Sequence, residues 1–548
     1  MATQVYFNGR MRTLPGAYAT ITSGEQNNPL NLDYGRVLVI DTGAGATWGG
    51  GSGVAGALKT GKDSVYQFDN IDDYKTFLKG GIFWKLAEAL FFPNVGDNGV
   101  SRVYHVKAAE TTAALMTFTA TGGVAAGGTF KVKCRDEGIA GNGILTSTHL
   151  DKGFAFTVES GILDVAKWIF KIWRGTWVGD HTDSISYGEV AKASTVAELV
   201  VQSPEFNTIQ ELIAWATTSQ QFNVFFELDT TSAAVGAGTI NAADVTPVAT
   251  YSVAAGGTEI YSSTHLDSVF EAIKDLDYQF ILCDKYGTTD YNNALVTKIF
   301  AHIKDSDTQF IKTMVIGGGQ NESEFKTTGG SVDIAKYFNS NRVITVHGAV
   351  KTTTQVNGQG FRTWPSLYHA AVVLGRICGL QPQIPITNKQ IGIAGLVHNI
   401  VKRDQEIGLG AGVLMTVADQ YRGGFKILQG VNSLQDNKLL FNSLAQSHSI
   451  QFERIVAQIN RELIVNSEID LLGNPNGVNA NTLSAGILKT WTETYLQSRV
   501  ATSDVDNLLI SFRNVVVTKV EDYYKVNYGI VINNEITKIF YTGFLFKE

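Results

Sequence analysis

Three times between Ile260 and Val350 a helical pattern runs straight into a short, β-branched strand pattern. HLDSVFEAIKDLD precedes QFILCD (Gln279 to Asp284), ALVTKIFAHIKDSD precedes FIKTMVIGGG (Phe310 to Gly319), and SVDIAKYFNS precedes RVITVHGAV (Arg342 to Val350). Strands joined through helices run parallel with right-handed crossovers, so this stretch predicts a mostly parallel sheet. The same texture occurs upstream. RVLVIDTG (Arg36 to Gly43) is a buried-strand run followed by a glycine-rich loop through Gly56, and the helical patterns IDDYKTFLKGG and KLAEALFF then lead to the strand SRVYHVKAA (Ser101 to Ala109). Strand, loop, helices and strand in that order describe an α/β unit.

Between Leu115 and about Ala255 the chain is rich in Gly, Ala and Thr and carries short apolar runs such as GTFKVKC, FAFTVES and the alternating WIFKIWRGTW, with TIQELIAWATT as a helix. This predicts a mainly β domain inserted into the α/β unit. The expected fold class is α/β within an α+β multidomain chain: a mostly parallel α/β core sheet, an inserted mainly β domain, and extended N- and C-terminal strand arms. The expected boundaries are an N-terminal arm at 1–35, core segments at 36–114 and 256–360, the insert at 115–255, a C-terminal α+β domain at 361–534 and a C-terminal arm at 535–548. In that C-terminal domain SLYHAAVVLGRICGLQP is a helix packed by small residues, and FKILQGVNSL is a strand. SHSIQFERIVAQINRELIVN is an amphipathic helix with Phe452, Ile455, Val456, Ile459 and Leu463 on one stripe, which predicts that Glu453, Arg454, Arg461 and Glu462 lie outside.

Both ends are expected to be extended. Residues 1–35 show no helical period, and Pro15-Gly16 interrupts TLPGAYATITSG, with Tyr18 and Ile21 following. At the other end Ile536, Phe540, Phe544 and Phe546 share one strand face, and Ile539, Tyr541 and Leu545 the other. Such a strand must be buried or paired, because an exposed apolar edge recruits other chains. Leu508 to Val517 and Tyr523 to Ile532 are expected to stay in the parent domain, and Ile536 to Phe546 to be the strand that leaves it.

Composition narrows the chemistry. A chain of 548 residues with 17% charged residues, 56 glycines and 9 prolines is a folded, loop-rich, multidomain protein. A net charge of -7 argues against phosphate-backbone binding, so no direct nucleic-acid partner is expected. Cys134, Cys283 and Cys378 form no CxxC pair and predict buried free thiols in a reducing compartment. The N-terminus lacks the apolar run of a signal peptide, and Gly81 to Pro93 is too short for a membrane span and carries Lys85 and Glu88, so neither secretion nor membrane insertion is expected. GAGATWGGGSG (Gly43 to Gly53) is spaced GxGxxxG, and the GxxxxGK[ST] loop is absent. Nine histidines show no HxxxH or HExxH spacing, and there is no GxSxG elbow. Trp168, Trp173 and Trp177 are assigned to the core of the insert, and Asp72-Asp73 and Glu521-Asp522 to solvated turns or helix starts. No catalytic residue, metal site or cofactor is predicted, which favours a structural protein.

In segment order the chain resembles the tail sheath proteins of contractile bacteriophages and related contractile injection systems. The resemblance spans nearly the whole chain. It is carried by LPGAYATI (Leu14 to Ile21), RVLVIDTGAGATWGG, AEALFFPNVGDNGVSRVYHVKAA and GTFKVKCRDEGIAGNGI with Gly138, Gly141 and Asn142. The double-glycine return AAGGTEIYSSTHLDSVFEAIKDLD and WPSLYHAAVVLGRICGLQPQIPITNKQI, with Pro385 and Asn388 on the family pattern, complete it. The late Trp-Gly and Arg-Thr pair of the family is replaced by LQGVNSL, and its Arg-Arg is reduced to Arg454 and Arg461, the tube-facing residues the resemblance implies.

What the resemblance implies is a non-enzymatic subunit of the virion tail, made and assembled in the bacterial cytoplasm. Such subunits form a helical homo-oligomer around an inner tail tube protein, with baseplate and tail terminator proteins as further partners. Arms carrying Pro15, Gly16, Tyr18 and Ile21, and Ile536, Ile539, Phe540, Tyr541, Phe544 and Phe546, add strands to neighbouring sheets. Contraction is a rigid-body rearrangement. Two other classes compete: a non-contractile capsid or adhesion component of a virion, and a doubly wound nucleotide-binding enzyme using the loop after Ile40.

Overall fold

The computed structural model describes residues 5–7, 10–12, 35–41, 65–78, 82–107, 109–119, 128–135, 141–146, 149–175, 197–229, 231–233, 251–261, 263–305, 310–353, 361–435, 448–472, 484–500, 508–520 and 523–532. The central sheet begins with β1 (Arg36–Asp41), β2 (Val65–Phe68) and β3 (Arg102–Lys107), helices α1 (Ile71–Leu78) and α2 (Ile82–Phe91) lying between the last two. After the intervening β-rich segment come α3 (Ser263–Ile273), β4 (Phe280–Cys283), α4 (Ala294–Lys304), β5 (Thr313–Gly317), α5 (Ser331–Phe338) and β6 (Val343–Val346).

β7 (Val413–Leu414) completes a seven-stranded sheet of order β7-β6-β5-β4-β1-β3-β2. Every neighbouring pair is parallel except β2–β3. The three helix-to-strand repeats therefore build the parallel sheet that their sequence predicts. The continuous apolar strands follow from burial on both faces. Val37, Val39, Val103, Leu282 and Val315 pack toward α1, α2 and the helix Ser366–Cys378, while Leu38, Ile40, Ile281, Met314 and Ile316 pack toward α3, α4 and α5. RVITVHGAV divides at Gly348, whose φ of +95° ends β6 and starts a separate strand at Val350.

A second core consists only of residues between Ala114 and Ala254, among them Phe130, Phe154, Phe156, Trp168, Phe170 and Phe222. Its strands Phe154–Ser160 and Trp168–Arg174 pair antiparallel from Phe154↔Arg174 to Ser160↔Trp168. The helix Ile209–Thr218 is capped by Thr208, whose hydroxyl accepts from the Glu211 N–H. Two of the family-like motifs meet where this segment leaves and rejoins the core. The Asn142 amide donates to the Gly257 carbonyl and accepts from the Gly257 N–H, both at 2.8 Å.

FKILQGVNSL is strand over Phe425–Ile427 alone, the middle member of a small three-stranded sheet. The glycine loop after β1 lies outside the described residues, as does Trp177; Trp168 is buried and Trp173 half-buried.

Candidate functional site

The last described elements are helix α6 (Ile450–Ser467), helix α7 (Ala485–Arg499) and strands β8 (Ser511–Val520) and β9 (Tyr523–Val531). Ser484 starts α7 by accepting from the Ile487 N–H at 3.2 Å. β8 and β9 pair antiparallel from Ser511↔Val531 to Val520↔Tyr523, with a bulge between Arg513 and Val516. Asn514 takes φ 56° there, a left-handed conformation that asparagine tolerates better than most residues. The extra residue turns Val515 inward, where it packs with Ile455, Ile459, Tyr495, Leu496 and Leu509.

This hairpin is a sheet of two strands; among the described residues no third strand joins either edge. Ten- and nine-residue strands whose edges meet no further strand among the described residues are the kind of edge to which strands add. Its side chains are mostly exposed or half-buried, Val515 being the one buried residue of β8. The hairpin is held against the helices beneath it through Val515, Phe512, Val526 and Ile530.

α6 departs from its predicted amphipathic role. No residue of this helix is exposed, and Glu453, Arg461 and Glu462, predicted to lie outside, are buried, while Arg454 is half-buried. The physical reason is that α6 is covered on two sides. Ile455 and Ile459 meet α7 and the hairpin, while the polar face is tied to the α/β core. Gln451 donates to the Gln383 carbonyl at 2.6 Å, and the Arg454 guanidinium to the carbonyls of Leu380 and Ile384. Arg461, with 2% of its surface exposed, donates to Asp277 at 2.5 Å, and Asp277 also accepts from Arg36 at 2.7 Å. Arg454 and Arg461, assigned by resemblance to a tube-facing surface, thus bind groups of their own chain. Between α6 and the sheet lies a cavity of about 40 Å³, lined in part by Gln279, Asn341, Glu453 and Gln458.

On the other side, buried Glu462 accepts from Gln458 at 2.7 Å and from the Tyr495 hydroxyl, and forms an ion pair with Arg499 at 2.8 Å. Burial, then the Glu462 charge, pushes the Tyr495 phenol well up, so it stays a proton donor to the carboxylate.

The candidate arm residues Pro15, Gly16, Tyr18, Ile21, Ile536, Ile539, Phe540, Tyr541, Phe544 and Phe546 lie outside the described residues. The chain leaves the described hairpin at Ile532.

The fold also assembles histidines that sequence spacing keeps apart. His347 Nε2 lies 3.0 Å from His398 Nδ1, His347 Nδ1 lies 2.7 Å from the buried Ser331 hydroxyl, and His369 bridges the Gly348 carbonyl and Thr416. Desolvation, then the neighbouring His398, brings His347 down to about 3, and burial brings His369 to about 4. Ser331 and His369 are fully enclosed, so this is a neutral packing network. All three cysteines are buried, and burial followed by the Asp284 charge pushes the Cys283 thiol up to about 12. Among the described residues no three His, Cys, Asp or Glu side chains are placed to hold a metal ion, and no helix is long and apolar enough to cross a membrane.

No family model matches the chain. A tail sheath protein of Bacillus phage SP01 is 21% identical, the match covering 94% of this chain and 93% of that one. In sequence the chain is thus similar to a tail sheath protein over most of its length. Two solved sheath tail proteins share its fold. That of Listeria innocua covers 91% of this chain and 92% of its own at a TM-score of 0.52 and 13% identity. That of Desulfitobacterium hafniense covers 94% and 100% at 0.54 and 12%. The likeness to the sheath proteins thus extends over more than nine-tenths of the chain.

Proposed function

We propose that the chain is a structural subunit of a contractile tail sheath, polymerising helically around an inner tail tube and contracting by rigid-body rearrangement to drive the tube through the host envelope. The observation that carries this is the two-stranded β8–β9 sheet, anchored by α6 and α7 and joined by no third strand among the described residues, in a chain whose two ends read as strand-forming arms. Strands from residues 1–35 and 535–548 of neighbouring copies add to those edges. Main-chain hydrogen bonds supply affinity, and alternating side chains fix the register. The contact joins two different surfaces, so copies propagate as a helix instead of closing as a pair. Baseplate and terminator proteins cap the ends of the sheath in the virion tail.

Contraction in this scheme needs no hydrolysis. A more favourable packing per subunit, summed along the sheath, provides the free energy, while the arms keep neighbours attached. Electron microscopy of full-length protein and of a variant lacking residues 535–548 tests the scheme. The full chain forms tubes or rings, and the truncated chain stays a folded monomer. Unfolding of the truncated chain would place the terminal strand in its own core, and tubes formed by it would remove the arm from assembly.

A further inference from the structure

The turn between the two long strands of the β-rich segment is held rigidly and is apolar. The Gly161 N–H donates to the Lys167 carbonyl at 2.7 Å, the Leu163 N–H to Glu205 at 2.6 Å, and the Ala166 N–H to Asp164 at 3.0 Å. Yet Ile162, Leu163 and Val165 are 76%, 93% and 82% exposed. An ordered tip with three aliphatic side chains in water is the kind of surface that a partner covers. Of the charged groups at the tip, Asp164 is exposed, Glu205 lies at its base and half-buried Lys167 closes the turn, so carboxylates outnumber cations by one.

The same chain offers a surface of matching chemistry. A groove of about 430 Å³ opens between two small sheets, floored by Gly392, Ala394 and Gly424 and flanked by Val95, Thr353 and Arg422. Four large apolar side chains stand exposed around it. Val95 and Phe92 come from the loop after α2, Tyr421 from the turn beside Arg422, and Phe361 from the position directly opposite Thr353. At the lip the Arg422 guanidinium is paired with buried Asp419 at 2.8 Å and donates to the Asn388 carbonyl at 3.0 Å, and Lys426, directly opposed to the groove residue Gln390, adds positive charge. An aliphatic, acidic knob and an apolar-rimmed, basic hole on one chain are the two halves of a heterologous contact.

We propose that the Gly161–Lys167 turn of one copy docks in the groove beside Val95 and Arg422 of a second copy, a contact separate from strand addition at β8–β9. It rests on the sheath assignment, because a helical array of copies brings different surfaces of one chain together repeatedly. Leu163 enters the groove between Val95 and Tyr421, and Asp164 faces Lys426 beside the Arg422–Asp419 pair.

Cysteine cross-linking of the full chain tests this, since the three native thiols are buried. Leu163→Cys and Val95→Cys are made singly, checked for wild-type melting, assembled together and treated with a short bismaleimide. The expected result is a cross-linked dimer in the mixture and none with either variant alone, and a ladder of multimers from the doubly substituted chain. Tubes by electron microscopy without cross-links, cross-linking of Leu163→Cys to itself, or its capture by a different protein each overturn the docking while leaving the sheath assignment standing. Absence of tubes from wild-type protein overturns the sheath assignment, and the docking falls with it.

Discussion

Replacing Asp277 by Asn tests how the C-terminal helices are attached to the core. Asp277 is the shared acceptor of Arg36 at 2.7 Å and Arg461 at 2.5 Å, and the Arg461 side chain is 2% exposed against 20% for Asp277. Removing the carboxylate charge leaves two guanidiniums close together, one of them without water. Breaking a buried pair in this way costs roughly 3–5 kcal/mol; partial exposure of Asp277 screens it and brings the expectation to about 2–4 kcal/mol. Arg461→Met is expected to cost less, about 1–2 kcal/mol. Asp277 keeps Arg36 and some hydration, and a desolvated cation is replaced by an apolar side chain of similar length. The two substitutions share one interaction, so their effects are expected to be less than additive. Amide hydrogen exchange across Ile450–Ser467 in unassembled protein reads the local opening free energy. A loss below about 1 kcal/mol for Asp277→Asn, or a larger loss for Arg461→Met, would show that this ionic tie does not hold α6 in place.

Tyr495→Phe leaves buried Glu462 with two of its three partners and is expected to cost about 1–3 kcal/mol in urea denaturation, whereas an unchanged midpoint would mean the hydroxyl contributes nothing. Gly375→Ala would set a Cβ 2.4 Å from the Ala89 carbonyl oxygen where Ser366–Cys378 crosses α2, and a loss of about 1–3 kcal/mol is expected from forced separation of the helices. For His347 and His369 the folded state holds the neutral form, at about 3 and about 4 against an ordinary 6.5, so the unfolded chain binds the extra protons. Their contribution is complete above pH 6.5 and is lost as pH falls toward those folded values, about 2–3 kcal/mol each by pH 4.5. Melting temperature against pH should show a shallower acid limb for His347→Gln, and an identical limb would contradict the assignment.

The parallel sheet was legible because β4, β5 and β6 are apolar on both faces and each follows a helix, so period and order gave the same answer. α6 was only half legible. Helical periodicity marks an apolar stripe but is blind to what covers the other side, and the ties from Arg454 to Leu380 and from Arg461 to Asp277 span 74 and 184 residues. The pair His347–His398 is 51 residues apart for the same reason, its partners being set by the ends of different elements. The β8–β9 hairpin was legible as two strands staying with the parent domain. Its open edges emerged only from the pairing, since an alternating strand reads alike in the middle of a sheet and at its edge. The bulge at Asn514 has a weak signal, an asparagine within a β-branched run. The docking groove has none, because it is formed by glycines, turns and strand ends from four separate stretches.

A density map of assembled tubes, at a resolution that traces the main chain, tests the account most directly. It is predicted to show β8–β9 as the inner pair of a larger sheet, with one strand from residues 1–35 and one from residues 535–548 of neighbouring copies along its two edges. Tubes in which both hairpin edges face solvent, or protein that stays monomeric under every condition tried, would contradict it.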